Sequence, residues 1–535
     1  MASEGNDDED DNSHRGSDVY YSFEAEAYET KTMTEPNEKE QNEDSTGSDP
    51  AESVVRRDRF SGGPARTFLS SLSADERIFE ADIAVDRAHV VMLTEQGIIS
   101  ETDAESILTA LEEIEAAGHA SLPDGEDVHE AIETAVIERV GPDGGRMHTA
   151  RSRNDEVATC IRHRLREDVL AAIEATLTLR EVLVDVAGEH TETVMPGYTH
   201  LQPAQPTTVA HYLLSYEGPI ARDTARLRDA YDRVNRCPLG AAAFAGTPFD
   251  VDRDRTAELL GFDGTVDNTM DASASRDFLA EVANALATLS TTLSGLAEDL
   301  VLFANRDFLE LSDDYASTSS IMPQKKNPDT LELTRGVAGD AIGEATGTMS
   351  LLKGLPRAYN RDLQRAHANV FAIAEDVREA TEVAAGAVAT ADWNEATLAA
   401  AAGEGFSTAT GVADLLAATG VPFRTAHEIV AAAAERIDDA DDPATAAETI
   451  DEAARDVLDE SLFASVDRAA VERALDPAES VASRNSAGGP APDAVAETIA
   501  SATARRETDE AALADRRDAL AAAVDVLDAE VSRRV

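Results

Sequence analysis

The chain has 535 residues, with 104 Asp and Glu against 46 Lys and Arg, and a formal net charge of -58. That balance excludes nucleic acid and anionic membrane surfaces as partners, because both are recognised through basic patches. The length exceeds that of a single growing core and predicts two or three subdomains.

Acid is spread along the whole chain, and lysine occurs only at Lys31, Lys39, Lys325, Lys326 and Lys353. Two readings of the acidity stand: adaptation to concentrated salt, or a specific cationic partner. The even spread favours the first, since in molar salt the Debye length falls to about 3 Å and self-repulsion is screened. The two cysteines, Cys160 and Cys237, are too few for a disulfide framework and point to a reducing, cytoplasmic compartment. No apolar run is expected to reach the roughly 20 residues that cross a bilayer. The N-terminus also lacks the basic and apolar regions of a signal peptide.

Residues 1–55 are polar and acidic without sustained periodicity, so they read as a disordered N-terminal extension. Met33 offers an alternative start within it. Beyond it the pattern is helical and predicts an all-α fold in three parts: an N-terminal helical domain (56–158), a central bundle of long helices (159–392) and a C-terminal helical domain (393–535). One helix is predicted from near Thr159 to Gly188, with Ile161, Leu165, Val169, Ile173 and Leu177 at every fourth position. A second runs from about Ser273 to Asn305, where Val282, Leu286, Leu289, Leu293, Leu296 and Leu300 alternate steps of four and three. Further helices follow "QPTTVAHYLLSYE", with a kink expected at Pro219, and cover about 362–390. From Trp393 the helices shorten and alanine rises.

Three polar, turn-forming segments interrupt this background, and polar loops between rigid helices are where function is commonly mounted. In "GGRMHTARSRNDE", Arg151, Ser152, Arg153 and Asn154 precede the first long helix, where they read either as an anion site or as an N-cap with solvated arginines. In "MPGYTHLQPAQPTT", His200 lies between prolines and is either a buried structural histidine or a functional one. In "ASTSSIMPQKKNPD", four hydroxyls and two of the five lysines make either an anion site or a mobile solvated loop. No Walker, HExxH, paired CxxC or GxGxxG pattern is present, and the spacing of Cys160 and His163 is poor for zinc. The loops point to a small anionic substrate handled without a cofactor or metal.

The third segment, continued as "SSIMPQKKNPDTLE", resembles the signature of the fumarase/aspartase superfamily, and its "PQKKNP" is the form found in the argininosuccinate lyase family. "HTARSRNDE" is similar to that family's "HTGRSRNDQ", and "GYTHLQPAQP" matches it letter for letter. "DVHEAIE", "LPRAYNRDLQ", "GFSTATGVADLL", "GVPFRTAHEIV" and "SRNSAGGPAP" extend the likeness over about 56–535. The resemblance implies a homotetramer whose central bundles pack together and whose active sites are shared between subunits. The implied reaction eliminates L-arginine from argininosuccinate and leaves fumarate, as the last step of arginine biosynthesis.

By the same resemblance Ser319 is the base, and Lys325 with Asn327 holds the carboxylate. His200 assists the leaving group and Glu332 orients it. Implied substrate contacts are Ser71, Asp75, Arg153, Asn154, Thr199, Tyr359 and Gln364, with Asp75 facing the guanidinium. A compact lysine head would fit between serine and carboxylate where a guanidinium would be too wide. Rival readings are another fumarate-releasing lyase, such as an adenylosuccinate lyase, and a relative without catalysis. Three positions depart from the family pattern. Thr318 replaces a glycine and implies a stiffer loop, and Ala150 replaces the glycine of "HTGR". His367 stands where a lysine is usual and implies binding that responds to pH below about 7.

Overall fold

A computed structural model describes residues 64–437 and 442–535, and the acidic extension assigned to 1–55 lies outside them. The described residues are dominated by α-helix, as expected. After a single turn at Pro64–Leu69 come three helices of moderate length: α1 (Phe79–Glu95), α2 (Glu101–Ala117) and α3 (Val128–Val140). Ser100 and Asp103 close a reciprocal capping box at the start of α2, and Asp127 caps α3 by accepting the Glu130 N–H at 2.8 Å.

The central helices are longer. α4 spans Arg153–Glu189, 37 residues or about 55 Å. Its start lies six residues before the expected Thr159, because the capping signal sits in the polar segment and not in the apolar periodicity. Ser152 is the N-cap, and Asp155 returns the bond by accepting the Ser152 N–H at 3.0 Å.

The next polar segment is an antiparallel hairpin, β1 (Val194–Thr199) and β2 (Gln202–Thr208), where a loop was expected. Its prolines leave the edges short of donors, and the pairing carries a bulge between Pro196 and Tyr198. Gly197 is required there, because a Cβ would stand 2.5 Å from the Gln205 carbonyl oxygen.

Helix α5 (Val209–Val234) contains Pro219. Helix α6 covers Asp277–Asn305, and its predicted seam Val282, Leu286, Leu289, Leu293, Leu296 and Leu300 is buried. By length and composition α6 is apolar enough to cross a bilayer, which corrects the expectation that no run would be. Its apolar stripe instead packs against neighbouring helices of the bundle. Two further ribbons follow: β3 (Leu309–Glu310) pairs with β6 (Asp392–Trp393), and β4 (Ser317–Thr318) with β5 (Lys326–Asn327). Between them lie α7 (Asp329–Leu352) and α8 (His367–Ala389).

A second, alanine-rich cluster around Leu416, Ile429, Ile450 and Val471 forms the core of residues 412–475. The last helix, α9 (Pro492–Ser532), 41 residues long, returns along α4 and α5. A buried ionic network ties it there: Arg180 donates to Glu217 at 3.0 Å and to Asp509 at 2.7 Å, and Arg505 reaches Glu217 at 3.0 Å. Each buried charge in that network is matched, which is the condition under which such groups are tolerated.

Candidate active site

At the base of α4 a cavity is lined by six of the implied substrate residues: Ser71, Asp75, Arg153, Asn154, Tyr359 and Gln364. They come from three separated stretches of chain, so the long helices act as a frame for them. The Ser71 hydroxyl donates to Asp75 at 2.7 Å, and the Val128 N–H also points at that carboxylate, at 3.3 Å. Burial pushes the Asp75 carboxyl above its ordinary range, against the charge of His129. Gln364 is anchored by donating to the Leu69 carbonyl at 3.1 Å.

The segment "TARSRND" divides between its two readings. Ser152 is the N-cap. Arg151 is buried and structural: its guanidinium meets Asp86 at 2.5 Å and Glu156 at 3.0 Å. Only Arg153 and Asn154 face the cavity. Asp155 holds that turn in place by accepting the Gly240 and Ala242 N–H groups at 2.9 and 2.7 Å, and Asn154 donates to the Ala243 carbonyl at 3.1 Å.

Behind the cavity stands a charged cluster that the sequence reading did not find. His129 donates from Nδ1 to Asp82 at 2.8 Å, and the Cys160 thiol donates to the same carboxylate at 3.2 Å. Burial resists charge on His129, but Asp82, Glu156 and Asp127 outweigh it and raise the imidazole to about 10. Asp82, Asp86 and Glu156 lie close enough together to suit a cation by spacing, and Arg151 supplies positive charge among them. The only sequence signal was that "DVHEAIE" places His129 two residues from Asp127 at a helix start. His163, whose spacing from Cys160 is poor for zinc, is half-buried and lies edge-on to Phe262.

The other predicted residues are not brought to this cavity within one chain. Thr199 and His200 are exposed at the tip of the β1–β2 hairpin, which corrects the buried reading of His200. His200 and Leu201 both have φ of 57°, as a two-residue turn of this hand requires. Non-glycine residues there cost about 1–2 kcal/mol each, so the tip stores strain, a common feature of functional sites.

Ser319 and Lys325 lie in the loop that joins β4 to β5, and Glu332 is exposed on the first turn of α7. Asn327 lines a separate depression beside Leu309 and Trp393. Among the described residues no hydrogen bond joins Glu332 to His200. Within the loop, the Ser319 oxygen accepts the N–H groups of Ile321 and Met322. The paired lysines separate in role. Lys326 is tied to Glu310 at 3.2 Å and Asp313 at 2.8 Å, whereas Lys325 makes no ion pair among the described residues.

A family model described as "Lyase" matches residues 65–343, and one described as "Argininosuccinate lyase C-terminal" matches 406–482. Over 484 residues the chain is 68% identical to an argininosuccinate lyase of Natronomonas pharaonis, covering 90% of this chain and 97% of that protein. It is 64% identical over 496 residues to one from Haloarcula marismortui, covering 93% and 99%. The chain belongs to the argininosuccinate lyase family. These relatives come from halophilic archaea, in keeping with the acidic composition.

Among solved structures, an EDDS lyase in complex with formate is 35% identical with a TM-score of 0.78, covering 88% of this chain and 96% of that one. A class II fumarase from Schistosoma mansoni, 16% identical over 76% of this chain and 90% of that one, has a TM-score of 0.64 and shares the fold.

The departures from the family pattern can now be placed. Ala150 has φ of 62°, a left-handed conformation that a glycine would adopt without strain. Thr318 lies in extended strand, which any residue accepts. His367 is buried and lines the cavity, with Nε2 3.9 Å from Asp75. Burial, helped by the charge of Arg276, lowers its pKa to about 4. The expected sensitivity to pH below about 7 is thereby moved down to that value, because the ring stays neutral in the folded state.

Proposed function

We propose that the protein eliminates L-arginine from argininosuccinate to leave fumarate, reversibly and without a cofactor. The observation that carries this reading is the single cavity formed by Ser71, Asp75, Arg153, Asn154, Tyr359 and Gln364. A molecule with a cationic guanidinium suits Asp75 there, and Arg153 offers a forked donor to a carboxylate.

Elimination requires removal of a weakly acidic C–H proton beside a carboxylate and support for the dianion that results. Ser319 takes the proton, Lys325 and Asn327 hold the carboxylate, and His200, oriented by Glu332, protonates the departing nitrogen. The two N–H groups on the Ser319 oxygen favour its ionised form, and an unpaired Lys325 nearby in sequence leaves a positive charge available. Thr199 joins the substrate contacts.

Four copies of the chain assemble, so that the exposed hairpin tip and the β4–β5 loop are supplied to the cavity by neighbouring subunits. The exposed apolar residues Leu333, Ile342 and Met349 on α7 fit a helix that packs against other copies. The three-part division at 56–158, 159–392 and 393–535 and a cytoplasmic location belong to the same proposal.

The test is absorbance near 240 nm, where fumarate appears, with the protein in high salt and argininosuccinate or adenylosuccinate added. A rise with argininosuccinate alone is expected. A rise only with adenylosuccinate, or none from an assembled protein, overturns the reading.

A further inference from the structure

Thr199 and His200 stand at the exposed tip of the β1–β2 hairpin, and a two-stranded ribbon by itself holds its tip poorly. The root of the hairpin is fixed by aromatic packing. Tyr212, on the first turn of α5 after β2, meets Phe303 of α6 with ring centroids 5.0 Å apart and Trp393 at 6.4 Å. Its hydroxyl also donates to Asp299 of α6 at 3.3 Å. The tip is tied to the end of the same helix. The Arg306 guanidinium donates from Nη1 to the Tyr198 hydroxyl oxygen at 3.0 Å and lies 4.9 Å from the centre of that ring. Tyr198 immediately precedes Thr199.

The turn that carries Arg306 is rigid. Arg306 is the C-cap of α6, and Asp307 follows it with φ of 57°. The Phe308 N–H donates to the Phe303 carbonyl at 3.0 Å and the Asp307 N–H to that of Ala304 at 3.3 Å. Contact between the Phe303 and Phe308 rings, 6.0 Å apart, completes this Schellman closure. A cation at a helix C-terminus is favoured by the helix dipole, and that alone would make Arg306 a stabilising cap. The dipole does not explain the choice of partner. Elsewhere on α6, Glu281 and Glu298 take Arg233 and Arg335. Arg306 is exposed in a chain of 104 acidic residues, yet it makes no ion pair among the described residues and turns its fork to a phenol.

We propose that Arg306 is a positioning residue: by holding Tyr198 it aims Thr199 and His200 at the cavity of a neighbouring subunit. This rests on the function proposed above, in which His200 assists the departing nitrogen. The charge-assisted bond fixes the reach of the Tyr198 ring, and the cation over the ring resists its rotation. A reacting group displaced by about 1 Å costs up to about 100-fold in rate.

The test is steady-state fumarate release near 240 nm in high salt by assembled Arg306→Met, Tyr198→Phe and His200→Asn, and by the double variants with His200→Asn. Arg306→Met keeps the apolar stem but loses fork and charge, and is expected to lower kcat by about 10- to 100-fold. Tyr198→Phe keeps the ring under the guanidinium and is expected to lose about 3- to 10-fold, the range of one hydrogen bond. With His200 already replaced, Arg306→Met should lower kcat less than about twofold further, since an absent imidazole cannot be misaimed. A cap that only stabilises the helix end would leave kcat unchanged, or lower it by the same factor in both backgrounds; either outcome overturns the proposal. Should Arg306→Met not assemble, Tyr198→Phe decides by the same comparison: a loss masked by His200→Asn supports the proposal, and no loss or an additive one overturns it. Failure of the function itself is distinguishable, because a wild type that releases no fumarate fails before any variant is made.

Discussion

The main-chain N–H of Met322 points at the Ser319 hydroxyl oxygen from 3.1 Å, and that of Ile321 joins it at 3.3 Å. Two donors on one oxygen favour the alkoxide over the alcohol, as the base role proposed for Ser319 requires. Ser319→Ala is expected to lower kcat for fumarate release by about 10²- to 10⁴-fold, the range of a lost general base. Lys325→Arg is expected to cost more than about tenfold, because a planar fork cannot take the place of a compact ammonium. Lys326→Arg keeps its links to Glu310 and Asp313 and should stay near the wild-type rate. Steady-state rates at 240 nm check all three, and near-normal turnover in Lys325→Arg would discard the argument for lysine.

The base of that loop is held by a slot in α8. A Cβ on Gly386 would stand 1.9 Å from the Tyr315 hydroxyl oxygen, so the tyrosine ring packs where only glycine leaves room. Thr330 strengthens the same corner by donating to the Tyr315 carbonyl at 2.6 Å. Gly386→Ala should therefore expel the ring, cost about 1–3 kcal/mol by overpacking and lower kcat more than it raises KM. The double variant Gly386→Ala with Tyr315→Ala relieves the clash and should recover stability but not the full rate. A double variant no more stable in urea than Gly386→Ala would mean that the slot has no such role.

The long helices were legible because their apolar positions repeat every three to four residues: the seam from Val282 to Leu300 lies buried where the spacing placed it. The start of α4 was missed by six residues, since Ser152 and Asp155 signal it through polar capping and not through periodicity. The β1–β2 hairpin was hidden by its prolines, which argue against a strand unless the strand is an edge. Six of the residues that the motifs implied as substrate contacts share one cavity. The Asp82–His129 pair could not be found, because a mutually matched buried charge is a property of the packing. Sequence alone does not record which buried charges meet.

Ala150 holds φ of 62°, a conformation costing an L-residue about 1–2 kcal/mol and glycine little. Glycine loses about 0.5–1 kcal/mol through greater freedom in the unfolded chain, so the gain from Ala150→Gly is a fraction of the strain. A stabilisation of about 0.5–1 kcal/mol is expected, seen as a higher urea midpoint in high salt with unchanged slope. Because Ala150 immediately precedes the buried Arg151, the same variant should leave kcat within about twofold of the wild type. A lower midpoint would show that the methyl group contributes packing that outweighs the strain.

His367 stands 3.9 Å from Asp75, and its folded-state pKa is lowered to about 4, below the ordinary 6.5, by burial and by Arg276. Between these values the unfolded chain binds the proton and the folded chain does not, so stability from this group rises with pH. The contribution is complete above about 6.5 and is lost as pH falls toward 4. Other buried groups titrate in the same window, so the single-residue effect has to be read as a difference. Relative to His367→Gln, the wild type should lose stability as pH falls through that window and lose none above about 7. KM for argininosuccinate should carry no His367-dependent step near pH 6.5, the ratio of wild type to variant staying flat from about 6 to 8. A step in that ratio near 6.5 would mean that the ring is solvated and charged during binding, and that the cavity opens far more than its buried walls indicate.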